Sequence, residues 1–176
     1  MTPTSERTLI LARHAKAEQV KGKPDHDREL SPRGLKDARA IGEWLSDPEQ
    51  GVVLDLALCS TSERTRQTLD GAVTGGASAK DTQYDKRIYN ASAASLLDVL
   101  RELPDSVAVV LMIGHAPGIP VLATALAHNE SGSTDVIERL SLGFPTSGLA
   151  VLGFGGKWRT LAPEGAYLKD FVVPRG

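Results

Sequence analysis

Three short apolar runs in this sequence are each followed by side chains that can do nucleophilic or anion-binding chemistry. The runs and the groups behind them are TLILA (8–12) with Arg13 and His14, VVLDLALCS (52–60) with Arg64, and VAVVLMIG (107–114) with His115. A neutral imidazole can act as a nucleophile, whereas a guanidinium stays charged and presents a planar fork to oxyanions. In an open α/β sheet, ligands bind beyond the carboxyl ends of the strands. We therefore expect these groups to meet in one crevice.

Each of these residues also has an ordinary structural explanation when it is taken alone. His14 and His115 are compatible with hydrogen-bonded core histidines, and Arg64 lies on a predicted helix where a solvated face is common. The joint pattern favours a site, because independent accidents would have to place all of them at the same sheet edge.

Predicted strands alternate with predicted helices along the chain. The clearest helix begins after Ser31, a favoured N-cap residue, with Pro32 at the first helical position. Its expected apolar face consists of Leu35, Ala38, Ile41, Gly42 and Leu45. Further helices are predicted at 61–73, 92–103 and 117–127.

The late part of the sequence suggests antiparallel structure. Segments 148–154 and 157–162 favour a hairpin around Gly155 and Gly156, and the tail 164–176 is compatible with a loop or a short helix. The alternation predicts an α/β fold, a three-layer α/β/α sandwich with a mostly parallel sheet and at least one antiparallel strand.

Length and composition indicate an ordinary globular protein. A chain of 176 residues fits a single domain over 1–176, with 1–7 as a flexible N-terminus. The net charge of −2 argues against a nucleic-acid partner, although it does not exclude a local basic pocket. Without a signal-peptide pattern or an apolar run that could span a bilayer, we expect a cytoplasmic location and no membrane partner. Cys59, the only cysteine, is expected to be buried.

Motifs for metals and nucleotides are missing from the sequence. GGASAK (75–80) lacks the spacing of a P-loop, no GxGxxG follows the first predicted strand, and no HExxH or paired Cys/His set is present. His26 and His128 have no metal-ligand spacing to the other histidines and are expected on the surface or in loops. We expect no metal and no cofactor.

Three motifs together resemble a known family. RHA after the first strand, STSERTRQT after the second and GHAPG after VAVVLMIG resemble the histidine phosphatase superfamily, also called phosphoglycerate-mutase-like, over Thr8 to Phe154. Ala15 stands where that family usually has glycine. This feature, DHDRELSPRG (25–34) and RIYNASAASLL (87–97) resemble the branch of SixA-type phosphohistidine phosphatases.

The resemblance implies a role for each matching residue. His14 would be the nucleophile, Arg13, Arg64 and His115 would form the catalytic phosphate pocket, and Arg28 would add a further phosphate contact. Neighbouring guanidiniums would lower the pKa of His14 and keep its attacking nitrogen unprotonated. A protonated His115 would donate to the phosphate oxygens in the transition state. Metal-independent hydrolysis would then proceed through phosphohistidine at His14.

One departure from the family pattern concerns the general acid. Mutase-like and phosphoesterase members carry a glutamate before the third helix, whereas DKRIYNAS (85–92) offers Asn90 and no carboxylate after Asp85. An alkoxide leaving group normally requires a proton donor, but an imidazole already protonated on its far nitrogen requires less help. Asp25, Asp27 and Asp85 are possible surrogates, each also compatible with a solvated carboxylate.

The missing acid favours phosphohistidine in a protein as the substrate. The alternatives are a phosphomonoesterase acting on a phosphorylated small molecule and a non-catalytic module that binds a phosphorylated partner. The sequence leaves open the partner protein, the oligomeric state and whether the loop from Lys16 to Leu30 closes over the pocket.

Overall fold

Six strands form one mixed sheet in the computed structural model, which describes residues 6–128 and 134–176. The strands are β1 Arg7–Arg13, β2 Leu54–Ser60, β3 Ala79–Asp85, β4 Val109–Gly114, β5 Leu149–Phe154 and β6 Tyr167–Val172. Their order across the sheet is β3-β2-β4-β1-β5-β6. Neighbours from β3 to β1 pair in parallel, whereas β5 runs antiparallel to both β1 and β6. The predicted mostly parallel sheet is confirmed.

Helices cover both faces of this sheet. They are α1 Pro32–Ser46, α2 Glu63–Thr74, α3 Ala93–Arg101, α4 Gly118–Leu126 and α5 Thr134–Ser141. Successive residues of a strand point to opposite faces. Accordingly Ile10 packs with Ile41 and Leu69 of α1 and α2, whereas Leu11 packs with Leu96 of α3 and its neighbours. The result is the predicted three-layer α/β/α sandwich.

Helix α1 begins where the sequence predicts. The Ser31 hydroxyl accepts a hydrogen bond from the Gly34 amide at 3.1 Å, and Pro32 occupies the first helical position. Leu35 does not belong to the apolar face as expected, because half of its surface is exposed. Gly34 takes its place: its α-carbon lies so close to Lys16 that a β-carbon would come within 2.0 Å of that carbonyl oxygen.

Two strands differ from the sequence prediction. β3 was not expected, and most of its side chains are exposed because it forms an edge of the sheet. The predicted strand at 157–162 is wrong, since this segment forms a 3₁₀ turn at Trp158–Thr160. The Trp158 indole is buried and donates to the Val107 carbonyl at 2.7 Å. The partner of β5 is β6, from the tail that suggested a loop or a short helix.

Three further expectations concern the N-terminus, the cysteine and membranes. Arg7 is buried in β1, so the flexible segment predicted for 1–7 does not include it, and residues 1–5 lie outside the described ranges. Cys59 is buried as expected, and burial raises its pKa to about 12. Within 6–128 and 134–176, no helix is both long and apolar enough to cross a bilayer.

Candidate active site

The carboxyl ends of β2, β4 and β1 lie side by side and bring the predicted site residues together. A cavity of about 380 Å³ opens at this edge. Its lining includes all five residues predicted for the site, namely Arg13, His14, Arg28, Arg64 and His115. A larger groove of about 730 Å³ lies beside α5 and β6, but its lining is mainly apolar and contains no imidazole or carboxylate. The smaller cavity is therefore the candidate active site.

His14 directs one ring nitrogen into the cavity. Its Nδ1 donates to the Ala15 carbonyl at 2.7 Å, and its Nε2 lies 3.3 Å from Arg64 Nε. Because a guanidinium can only donate, this contact assigns the proton to Nδ1 and leaves a lone pair on Nε2. The pKa of His14 is lowered to about 4, mainly by burial. The hydrogen bond to Ala15 opposes this shift, whereas the charges of Arg64, Arg13 and Arg28 add to it. The imidazole is thus neutral near pH 7.

His115 faces His14 across a ring-centroid distance of 5.3 Å. Its Nε2 lies 2.8 Å from the Ser60 hydroxyl, and its Nδ1 lies 3.2 Å from Arg64 Nη2. The same donor argument places the proton on Nε2. Burial lowers the pKa of His115 to about 3, with further contributions from His14 and Arg64. His115 is therefore a neutral acceptor toward the arginine.

Arg64 connects the two imidazoles. It lies in the first turn of α2, and only 4% of its side chain is exposed. Besides both histidines, it contacts Asp25, donating from Nη1 to the backbone carbonyl at 2.7 Å and from Nη2 to the carboxylate at 3.1 Å. The helix start is stabilised by Thr65, whose hydroxyl donates to the Ser60 carbonyl at 2.8 Å. A guanidinium in this position can reach a phosphate bound at His14.

Asp25 attaches the loop between Lys16 and Leu30 to the site. It begins a 3₁₀ turn at Asp25–Asp27 and accepts hydrogen bonds from Arg28, Arg64 and the Tyr89 hydroxyl, the last at 2.6 Å. The hydrogen bond from Tyr89 makes the largest contribution, and together with those from the two arginines it holds the pKa of Asp25 well below its usual range. The carboxylate is therefore ionised and does not hold a proton near neutral pH.

The backbone around His14 is fixed by its neighbours. The Ala15 amide donates to Thr68 Oγ1 at 3.0 Å, and Ala15 packs with Leu30 and Ala38 in a small buried cluster. Arg13 donates from Nη1 to the Phe144 carbonyl at 2.9 Å. These contacts position the strand end and leave little freedom for the His14 ring.

Comparison with known proteins identifies the family. Residues 9–90 match the family model of the histidine phosphatase superfamily, branch 1. The chain is 42% identical to an uncharacterized protein of Mycobacterium tuberculosis over 93% of this chain and 99% of that one. It is 34% identical to the structure of a "putative phosphohistidine phosphatase SixA" from Nakamurella multipartitia, with a TM-score of 0.83 and 98% of each chain covered. The chain belongs to the histidine phosphatase superfamily.

A second solved structure supports the same branch. The chain is 31% identical to a "putative phosphohistidine phosphatase SixA" from Agrobacterium tumefaciens, with a TM-score of 0.75 and coverage of 96% of this chain and 99% of that one. The resemblance drawn from the three motifs is confirmed, and this histidine phosphatase belongs to the SixA-type branch. It is a phosphatase of the hydrolase class.

Of the three carboxylates considered as surrogate acids, this histidine phosphatase brings only one into the cavity. Asp25 lines it, whereas Asp27 is exposed beside His26. Asp85 ends β3 outside the cavity, where it pairs with Arg87 at 2.7 Å. Arg66, two residues beyond Arg64, lies over the Tyr84 ring, also outside the cavity.

Two residues of the site were not singled out from the sequence. Ser60 orients His115, and Tyr89 bonds to Asp25 and packs edge-on against His115 at 5.4 Å. The position of Ser60 at the end of an apolar run was the available signal for the first. No pattern in the sequence indicates that Tyr89 contacts Asp25. Among the described residues, no three His, Cys, Asp or Glu side chains cluster so that they could hold a metal ion.

Proposed function

We propose that this phosphatase removes phosphate from phosphohistidine in a protein through a covalent intermediate on His14. The observation that carries the proposal is the unprotonated Nε2 of a buried, neutral His14, which accepts from Arg64 Nε at 3.3 Å. Among the described residues that line the cavity, the one carboxyl group is ionised. The SixA-type structures from two bacteria support the class of substrate. Arg13, Arg28, Arg64 and His115 are proposed to bind the phosphate.

In the first step, the lone pair of His14 Nε2 attacks the phosphorus of the substrate. A new P–N bond forms, the P–N bond to the substrate ring breaks, and its electron pair stays on the substrate nitrogen. If the far nitrogen of that ring carries a proton, the ring leaves as neutral imidazole and no proton moves. His14 retains its Nδ1 proton, which the Ala15 carbonyl holds in place.

In the second step, water attacks the phosphorus on His14. The P–N bond breaks, its electron pair returns to Nε2, and both hydrogens of the water stay with the product, released as dihydrogen phosphate. His14 is again neutral with its proton on Nδ1. Only side chains of this chain and water take part in these steps.

The arginines stabilise the phosphate oxygens during both transfers. Guanidinium forks bind two oxygens at once, and the Arg64 guanidinium, buried at the base of the cavity, is already in place when charge develops in the transition state. The arriving phosphate dianion opposes the effects that lower the pKa of His115, since an opposite charge favours the protonated form. A protonated His115 then donates from Nδ1 to the transferring group.

The protonation of Asp25 distinguishes phosphohistidine from an ester as the substrate. An alkoxide requires a proton as it leaves, and an ionised carboxylate has none to give. Asp25 is held in that state by Tyr89, Arg28 and Arg64. Phosphoramidate cleavage does not require such a donor.

A cytoplasmic location of this phosphatase also remains a prediction from the sequence.

The test compares substrates and histidine variants. We expect wild-type protein to dephosphorylate a phosphohistidine-bearing phosphotransfer domain with a higher kcat/KM than any member of a panel of sugar and nucleotide phosphates. His14→Gln should abolish both activities, whereas His128→Gln, outside the cavity, should leave them unchanged. Activity on phosphohistidine that is no greater than that of His14→Gln would refute the proposal. A strong preference for one ester would favour the phosphomonoesterase.

A further inference from the structure

Asp25 is the only carboxylate among the described residues that line the active-site cavity. Its side chain is 47% exposed, whereas that of Arg64 is 4% exposed, so the carboxylate lies toward the mouth and the guanidinium at the base. A phosphate at His14 contacts the base. The leaving group departs on the opposite side of the phosphorus from His14 Nε2 and therefore points toward the mouth.

The carboxylate of Asp25 retains one free acceptor position. Two carboxylate oxygens offer about four lone-pair sites. Oδ2 accepts from Tyr89 Oη at 2.6 Å and from Arg64 Nη2 at 3.1 Å, and Oδ1 accepts from Arg28 Nη1 at 3.1 Å. These three donors fix the orientation of the carboxylate and leave Oδ1 able to accept a further hydrogen bond from a ligand.

On the basis of the proposed function, we propose that Asp25 is a specificity-determining residue that accepts a hydrogen bond from the far ring N–H of the substrate phosphohistidine. It thereby selects a cationic imidazole as the leaving group. Ala15 gives His14 the matching arrangement, because its carbonyl holds the Nδ1 proton while Nε2 exchanges phosphate. The phosphate then passes between two rings that each keep a proton on the far nitrogen.

Electrostatics explains why such a carboxylate is necessary. The guanidiniums that attract the phosphate also repel a positively charged ring, as does the Lys16 ammonium in the same lining. Without a carboxylate, these cations would favour loss of the substrate ring proton. A deprotonated ring would have to leave as an imidazolate, which is a poor leaving group. A carboxylate beside the ring offsets this repulsion and keeps the proton in place.

In the transfer step, Asp25 interacts with the far N–H of the substrate ring and takes no part in the bonds that form and break. The electron pair of the breaking P–N bond neutralises the substrate ring, and the far N–H stays on that ring throughout. Asp25 accepts a hydrogen bond but takes no proton. An aryl ester has no ring N–H, and negative charge develops on its leaving oxygen, so the same carboxylate hinders ester cleavage.

The pH dependence follows from the groups around Asp25. Those in contact with it are the guanidiniums of Arg28 and Arg64 and the Tyr89 hydroxyl. The His115 imidazole interacts with it at longer range, and the Arg13 guanidinium and the Lys16 ammonium line the same cavity. An imidazole in water loses its proton with a pKa of about 6.5. With Asp25 present, the bound ring keeps its proton to a higher pH.

The experiment measures kcat/KM from pH 5.5 to 9 for Asp25→Asn on a phosphohistidine-bearing phosphotransfer domain and on p-nitrophenyl phosphate. We expect the phosphohistidine activity to fall at least about tenfold at pH 8 and less at pH 5.5, because an adjacent opposite charge shifts a pKa by about one unit or more. Activity on p-nitrophenyl phosphate should fall less than this, so that the ratio of phosphohistidine activity to p-nitrophenyl phosphate activity decreases. Asp25→Glu should recover part of the phosphohistidine activity.

Asp27→Asn is the matched control, since Asp27 lies in the same turn but outside the cavity. It should leave both activities unchanged. An equal fall of Asp25→Asn on both substrates, through loss of structure or misplacement of Arg64, would overturn the inference, as would an unchanged substrate ratio. A wild-type protein inactive on phosphohistidine would instead refute the proposed function.

Discussion

At the scale of residues, the two cavity histidines are neutral for the same reason but present different nitrogens. Arg64 donates toward Nε2 of His14 and toward Nδ1 of His115, and burial penalises the charged form of both rings. In the proposed mechanism, the neutral state leaves His14 available as the nucleophile. The same mechanism has His115 become a donor once a phosphate supplies the opposing charge.

Imidazole titration tests this difference. The pKa values of about 4 for His14 and about 3 for His115 lie below the ordinary value, so both rings should remain neutral at pH 6 and gain a proton only as the pH falls further. The measurement is the ¹⁵N chemical shifts of the ring nitrogens against pH, with His14→Ala and His115→Ala to assign the signals. Titration of either ring near 6.5 would contradict the proposed electrostatics.

At the scale of elements, the start of α1 supports the chain where it leaves the end of β1 beside His14. The Lys16 carbonyl accepts from the Ser31 amide at 2.9 Å and from the Ser31 hydroxyl at 3.1 Å, two residues beyond His14. Gly34 packs against the same carbonyl because it has no β-carbon. The helix terminus thus fixes the chain as it leaves the site.

Gly34→Ala should therefore affect both stability and activity. A β-carbon 2.0 Å from the Lys16 oxygen forces backbone to move, and overpacking of this kind costs about 1–3 kcal/mol. The expected result is a lower free energy of unfolding in urea together with a lower kcat/KM. Gly155→Ala is the control, since a β-carbon there meets nothing within 4 Å. Equal stability of the two variants would contradict the proposed packing.

Elements were predictable from sequence where local chemistry determines them. Ser31 and Pro32 mark the start of α1, and the apolar runs of β1 and β4 are buried on both faces. The edge strand β3 has mostly exposed side chains, so its sequence lacks the apolar pattern that predicts a strand. Trp158 is buried in the main apolar cluster and donates to the Val107 carbonyl, a contact between residues far apart in sequence.

The same limit applies to the site. His14 and its arginines were predictable because each follows a strand or opens a helix at one sheet edge. The contact of Tyr89 with Asp25 joins two loops across 64 positions of sequence and could not be predicted from local pattern. Together with Arg28 and Arg64, this contact also keeps Asp25 ionised, which no sequence pattern indicates.

At the scale of the whole molecule, strands from the beginning and the end of the chain pair with each other in the sheet. β1 lies between β4 and β5, and β5 in turn pairs with β6, so the first strand holds the late strands in the sheet. The loop between Lys16 and Leu30 is joined to the same body through Asp25 and Arg64. The Asp25 side chain in this loop keeps 47% of its surface exposed.

This arrangement predicts that 1–176 unfolds as one domain. Neither half of the chain can complete the sheet without the other, so we expect a single cooperative transition. Calorimetry should give equal calorimetric and van't Hoff enthalpies. Two separate transitions would contradict the single domain predicted from length and composition.

The central claim is that His14 carries the phosphate between substrate and water. The most direct measurement mixes the protein with a phosphohistidine-bearing phosphotransfer domain, stops the reaction at alkaline pH and locates the phosphate by mass spectrometry. We predict an added phosphoryl group on His14 that disappears with time as phosphate is released. Turnover of the substrate with no phosphate on His14, or with phosphate on another residue instead, would contradict the account.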